Sequence, residues 1–464
     1  MARGPGRGPL RVSRRRRPRP TGRGRSGRCS TWSSRGGPRS LANAPRGAID
    51  SPLSGSWHAA LHPRGAGFRA AEGTRTPAEA LHPRVPAGKE VGVDPRTTRL
   101  AEVLVHYSCG VKKGENLLVE GFGFEALDLI GEIVRIATRK GANVFYELRH
   151  DTLVRTLLQH ANEDQIRAQA KHPLLQMKDM QCYIGIRAAA NIAELADVPA
   201  QKQRWYTTHY RKPVHLEQRV RHTRWVGLRY PNNSMAQAAR MPLQAFEDFY
   251  YSVCTMDYAA MSRAMNPLKR LMEKTDRVEI KGPGTDLSFS IKGLPAIKCD
   301  GKMNIPDGEI FTAPVRESMN GTVRFNAGSL LEGTVYGPID LTFKKGKVVK
   351  AESGANTRKL NEVLDRDEGA RYVGEFSFGI NPHIHEPILD ILFDEKIAGS
   401  FHMAVGNAYD ECDNGNKSAI HWDLIQIQTP AFGGGEIRFD GKLIRKDGLF
   451  LPAALQGLNP EKLK

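Results

Sequence analysis

Residues 116–148 read NLLVEGFGFEALDLIGEIVRIATRKGANVFYEL. The apolar run Leu117–Val119 leads into a turn marked by Gly121 and Gly123. Leu127, Ile130, Val134 and Ala137 then recur at helical spacing, Gly141 ends that helix, and a second apolar run follows from Ala142 to Leu148. This is strand, turn, helix, strand, and two strands joined by a helix run parallel in one sheet. Gly121-x-Gly123 is a poor phosphate loop, because position 126 is Ala and no Lys-Ser/Thr pair follows, so the glycines are expected to serve the turn.

Working outward, Leu100, Val103, Leu104 and Tyr107 predict an amphipathic helix ahead of the first strand. Gln181–Arg187 (QCYIGIR) predicts a further strand, helices resume through Gln237–Met272, and Asn266-Pro267 predicts a break. After Asp276 the period changes to two: Val278–Lys281, Leu287–Ile291, Thr322–Phe325, Asp340–Phe343 and Ile420–Ile427 are short alternating strands. The predicted organisation is a basic extension over 1–92, an α/β lobe with a parallel sheet over 93–270, and a β-rich α+β metal-binding lobe over 271–464.

The chain has 464 residues and a net charge of +18, which by itself suggests a nucleic-acid partner. The charge is concentrated at one end. Residues 1–90 hold 18 Arg and one Lys against four acidic residues, so they carry +15 and the other 374 residues carry +3. The nearly neutral body excludes a basic nucleic-acid-binding fold, and the absence of any run of 18 apolar residues excludes a membrane span. The Arg-, Gly-, Pro- and Ser-rich extension is too poor in apolar side chains to order itself. It lacks the apolar segment an export signal needs, and it is expected to be an appendage without function. Six scattered cysteines without a CxxC pair predict free thiols in a reducing compartment, the cytoplasm.

Candidate metal ligands gather after residue 300. Asn304–Glu309 (NIPDGE) places Glu309 at the start of an extended segment after a Pro-Asp-Gly turn. Glu375 sits in GEFSFG, Glu395 in LFDEK, and His402 seven residues later. His421 and Asp423 occur at i, i+2 in AIHWDLI, which puts both on one strand face where they can hold one ion. That strand reads as buried, and a buried carboxylate needs a partner. Four carboxylates and two imidazoles suit two divalent ions such as Zn²⁺, Co²⁺, Mn²⁺ or Mg²⁺. His383 and His385 (HIHE) follow a proline in a loop and are expected to be surface residues, as His209, His215 and His222 are expected to be surface or polar-core residues.

Leu100–Glu120, Asn304–Pro314 (NIPDGEIFTAP), Glu375–Pro382 (EFSFGINP), Leu392–Gly406 (LFDEKIAGSFHMAVG) and Ala419–Ile425 together closely resemble the aminopeptidase T and aminopeptidase S type of metallopeptidase. The resemblance spans about residues 95–464. It implies a dinuclear centre on Glu309, Glu375, Glu395, His402, His421 and Asp423, with Glu375 bridging and Glu309 moving a proton. It further implies a catalytic Tyr409 that donates to the oxyanion, a water activated by the ions, and short peptides with a free N-terminus as substrates. A homodimer with an enclosed site is also implied. The segment Asn407–Lys417 is shorter than in typical members, and the Glu395–His402 interval is longer. The alternative is a ring-opening dioxygenase of dihydroxypyridine type, with one Fe²⁺ on His402, His421 and Asp423. The three further carboxylates favour two ions.

Overall fold

The computed structural model describes residues 92–464 apart from Ile192, so the predicted basic extension lies outside the described residues. The predicted βαβ unit is present as strand Asn116–Phe122, helix Leu127–Arg139 and strand Asn143–Arg149. Leu129, Ile130, Ile133 and Ala137 are the buried apolar positions of the helix. Leu127 stands at the helix N-terminus and is exposed, so the buried stripe is rotated from the predicted one. Gly123 has φ +105°, and a Cβ there would lie 2.5 Å from the Ala188 carbonyl oxygen. Its place is therefore a tight turn against the neighbouring strand connection.

Five strands form the parallel sheet, in the spatial order Asn143–Arg149, Asn116–Phe122, Cys182–Arg187, Arg224–Arg229, Asn304–Ile305. The last of these comes from far down the chain. It is followed at once by Pro306-Asp307-Gly308 and by Glu309–Thr312, a strand of a different sheet. The parallel sheet thus ends where the candidate site begins.

Two antiparallel arrays make most of the remainder β-rich, as the change of period predicts. One has eight strands, ordered Lys347–Glu352, Ile339–Lys344, Asn320–Phe325, Thr285–Ser290, Arg277–Gly282, Glu436–Phe439, Lys442–Lys446, Leu449–Phe450. The other has five, ordered His421–Ile427, Ser400–Gly406, Val373–Gly379, Glu309–Thr312, Ile297–Cys299. A single cluster of buried apolar side chains runs from Leu100 to Leu458 and includes residues of both arrays and of the parallel sheet.

Asn266-Pro267 does not break the chain: helix Tyr258–Met272 runs through it. Met261, Met265, Leu268 and Met272 are buried on one side of this helix, and that packing offsets the hydrogen bond lost at proline. The five cysteines among the described residues are unpaired. Among the same residues no helix is long and apolar enough to cross a membrane.

Candidate metal centre

The five-stranded antiparallel sheet carries the site on one face. Its strand register pairs Glu309 with Gly379, Ser377 with His402, Glu375 with Ala404, Ala404 with Asp423, and Gly406 with His421. Paired positions share a face, and side chains alternate along each strand. One face therefore collects Glu309, Glu375, His402, His421 and Asp423, interleaved with Ser377, Gly379, Ala404 and Gly406. The other carries Phe376, Phe378, Phe401, Met403, Val405, Trp422 and Leu424, all buried in the apolar core. The small residues leave room over the polar face, and the aromatic ones anchor its back.

Glu309 is delivered by the Pro306-Asp307-Gly308 turn. Gly308 has φ +132°, and a Cβ would stand 3.0 Å from that of Asn381, so glycine suits this corner. Glu395 does not come from the sheet. It follows the short helix Ile391–Asp394, whose N-cap Asp390 accepts from the Leu392 N–H and pairs with Arg229 at 2.7 Å.

His402 Nε2 lies 3.1 Å from Glu309 Oε2 and 3.1 Å from Glu375 Oε1. His421 Nε2 lies 3.6 Å from Glu375 Oε2 and 3.4 Å from Asp423 Oδ1. Each imidazole has its other nitrogen on a backbone carbonyl, Nδ1 of His402 at 3.0 Å from Glu395 O and Nδ1 of His421 at 2.8 Å from Asn407 O. A backbone carbonyl accepts the Nδ1 proton, so both Nε2 atoms face the cluster and become donors to a metal once deprotonated, which is the arrangement metal-ligating histidines use. Ligand atoms lie within 4.8 Å of one another in three groups: Glu309, Glu375 and His402; Glu375, His421 and Asp423; Glu395, His402 and Asp423.

Electrostatics point the same way. Burial raises the Glu395 carboxyl to about 8 and pushes Glu375 upward as well. Burial opposes charge on His421, but Asp423 and Glu375 outweigh it and raise the imidazole to about 10. Burial also opposes ionisation of Glu309, yet Lys396 and His402 hold its carboxyl below the usual range. Without ions the cluster thus keeps protons between acids and imidazoles. Asp423 Oδ1 remains buried with no hydrogen-bond partner among the described residues. An orphaned carboxylate oxygen beside inward-facing imidazoles fits a divalent cation, and the donor set suits borderline or hard ions.

All six residues singled out as ligands in the sequence meet here. Tyr409 stands at the rim, its ring 4.4 Å from that of His421 and 5.9 Å from that of Phe311. Burial and the surrounding carboxylates push its phenol upward, so it is a donor at ordinary pH. His383 and His385 belong to none of the ligand groups. His209 pairs with Glu163 at 2.7 Å, a partner from another helix that local spacing does not reveal.

Two charged residues of the site escaped sequence reasoning. Lys396 is fully buried, with Nζ 3.4 Å from Glu309 Oε1 and in contact with Glu395. Asp307 accepts the Gly301 and Gly308 N–H groups at 2.8 and 3.1 Å, and burial raises its carboxyl to about 7. The available signal was position: Lys396 adjoins a candidate ligand between the apolar Phe393 and Ile397, which is unusual for a solvated charge.

A buried acid–imidazole centre on an antiparallel sheet, joined directly to a parallel α/β sheet, defines a metalloenzyme class. Residues 93–448 match the family described as thermophilic metalloprotease (M29), and the chain belongs to that family. The family is the one the sequence motifs resemble. The chain is 32% identical over 206 residues to aminopeptidase T of Thermus thermophilus, covering 39% of this chain and 48% of that protein. It is 26% identical over 412 residues to aminopeptidase 2 of Geobacillus stearothermophilus, covering 75% of this chain and 94% of that protein. The chain thus spans about half the length of the Thermus relative and nearly all of the Geobacillus one. The expectation of a metallo-aminopeptidase agrees with the family and with these relatives' names. The solved structure of wild-type AmpT from Thermus thermophilus shares the fold with TM-score 0.65 and 22% identity, over 78% of this chain and 100% of that one. A 2,5-dihydroxypyridine dioxygenase from Pseudomonas putida KT2440 shares it more loosely, with TM-score 0.51 and 12% identity, over 77% of this chain and 98% of that one.

Proposed function

We propose that this metallopeptidase is an aminopeptidase that removes N-terminal residues from short peptides at a dinuclear centre. Glu309, Glu375, Glu395, His402, His421 and Asp423 would hold two divalent ions, Zn²⁺, Co²⁺, Mn²⁺ or Mg²⁺, with Glu375 shared between them. Bound ions supply Lewis acidity and lower the pKa of a water toward neutrality. The single observation that carries this reading is that the ligand groups overlap, Glu375 and Asp423 each belonging to one group with His402 and one with His421.

The chain's own residues do the rest. Tyr409, at the rim beside His421, would donate its phenolic proton to the oxygen on which charge develops. Glu309, held by Ser377 Oγ at 3.2 Å and by Lys396, would move the proton toward the leaving amine. The reading includes a homodimer with an enclosed site, a cytoplasmic location, and two lobes over 93–270 and 271–464. The aminopeptidase activity is what the family and the names of the relatives support.

The test is metal content together with hydrolysis of a panel of aminoacyl-p-nitroanilides by the full chain. The expected result is two ions per chain and activity that chelation removes and zinc, cobalt, manganese or magnesium restores. One iron per chain with no cleavage of Leu-p-nitroanilide would favour the ring-opening dioxygenase instead. The surplus of Glu309, Glu375 and Glu395 around His402, His421 and Asp423 speaks for two ions.

A further inference from the structure

Beyond the three ligand groups of the centre, a fourth set of side chains has metal-ligand spacing: Cys299, Asp307 and Glu309, again with ligand atoms within 4.8 Å of one another. Glu309 belongs to both. Cys299 lies on Ile297–Cys299, the strand next to Glu309–Thr312 and paired with it so that Cys299 faces Glu309. A thiol beside two carboxylates would draw a thiophilic ion such as Zn²⁺ or Cd²⁺ more strongly than an all-oxygen site. An ion there would compete with the main centre for Glu309.

The fully buried Lys396 is in this corner. Its Nζ is 3.4 Å from Glu309 Oε1, while the other oxygen of the same carboxylate, Oε2, is turned to His402 Nε2 at 3.1 Å and Ser377 Oγ at 3.2 Å. Glu309 and Glu395 are the carboxylates that pair with the ammonium, and burial keeps the Cys299 thiol on the neighbouring strand protonated. A buried cation is costly unless it is paired, and here one of its two partners, Glu309, is the carboxylate that an ion in the corner would need. The tether makes the ammonium a cation that cannot dissociate.

We propose that Lys396 acts as a built-in third cation. It plugs the Cys299–Asp307–Glu309 corner, so that the centre takes up two ions and Glu309 offers them a single oxygen. Lys396 is a positioning residue in this role: it touches two candidate ligands and is fully buried. The proposal rests on the dinuclear reading above.

The test follows Cd²⁺ binding to the metal-free full-length chain, with bound metal per chain measured by elemental analysis and thiolate bonding by ultraviolet charge-transfer absorbance. Wild type is expected to take two ions and to show no absorbance that depends on Cys299, judged against Cys299→Ser. Lys396→Met is expected to take three ions and to gain the thiolate band, and Lys396→Met with Cys299→Ser is expected to lose both gains. Lys396→Arg, which keeps the charge, is expected to stay at two. A Cys299-dependent band in wild type overturns the proposal, and this comparison needs no Lys396 variant to fold. A folded Lys396→Met protein that stops at two ions without the band overturns it as well. Wild type binding fewer than two ions is a separate readout: it overturns the dinuclear reading first, and this proposal with it.

Discussion

Two sheets of this protein bury charged side chains, and they treat them in opposite ways. In the parallel sheet Glu120 is buried in the middle of its strand, where apolar residues are the rule. Tyr183 Oη donates to it at 2.5 Å and Arg149 pairs with it from the next strand, so the acid is neutralised within the sheet. In the antiparallel sheet Glu309, Glu375 and Asp423, joined by Glu395 from its short helix, have one buried cation, Lys396, and two imidazoles for company, and Asp423 Oδ1 has no hydrogen-bond partner among the described residues, only His421 Nε2 at 3.4 Å. A buried acid with its partners in place is a structural device. A surplus of buried acid that must either hold protons or take up an external cation has the makings of a metal site.

The largest break in that contrast should come from Glu375→Gln. If Glu375 is shared between two ions, its loss is expected to remove several kcal/mol of charge stabilisation and to lower kcat by about 10³-fold or more. Bound metal is expected to drop from two ions to one. Steady-state kinetics and elemental analysis on the same sample check both. Tyr409→Phe is expected to lower kcat by about 10²-fold with metal content unchanged, the size seen on removing one oxyanion donor.

Glu120→Ala is expected to do the reverse. It strands the Arg149 guanidinium with only the partly exposed Glu147 at 2.8 Å, so stability should fall by about 3 kcal/mol in urea unfolding. The kcat/KM of the folded protein should not move. If Glu120→Ala instead changes metal content, the distinction between the two sheets fails.

A further contrast concerns pH. The His421 imidazole is raised to about 10 in the metal-free fold, against 6.5 when unperturbed. A group raised on folding stabilises fully below its unfolded pKa and loses that contribution as pH climbs through the folded value. The metal-free protein is therefore expected to lose stability between about pH 6.5 and pH 10. Ion binding needs neutral imidazole, so the stabilisation contributed by ions should grow over the same range. Thermal unfolding of chelated and metal-loaded samples across that window checks the crossing. Smallest of all, His385→Ala should change stability by less than about 0.5 kcal/mol and leave bound metal at two.

Much of the site was legible before any coordinates, because its strands obey a local rule. The i, i+2 spacing of His421 and Asp423 forces both to one face of an extended chain, and the apolar residues beside them announce burial. The Pro306-Asp307-Gly308 turn likewise marks Glu309 as the first residue of a strand. Less legible was the helix across Asn266-Pro267, where proline signals a break that four buried side chains override. The stripe on helix Leu127–Arg139 was misplaced for a related reason: spacing identifies a face only to within a rotation, and packing against the sheet chooses among the possibilities.

Periodicity, glycine turns and the pairing of apolar with polar positions are properties of neighbouring residues, and from them the α/β and β-rich regions and all six candidate ligands were readable. Strand order and register depend on contacts between residues far apart in the chain. Those contacts alone decided that Glu375 stands between two histidines, that Glu120 finds its arginine, and that Lys396 is sealed between Glu309 and Glu395.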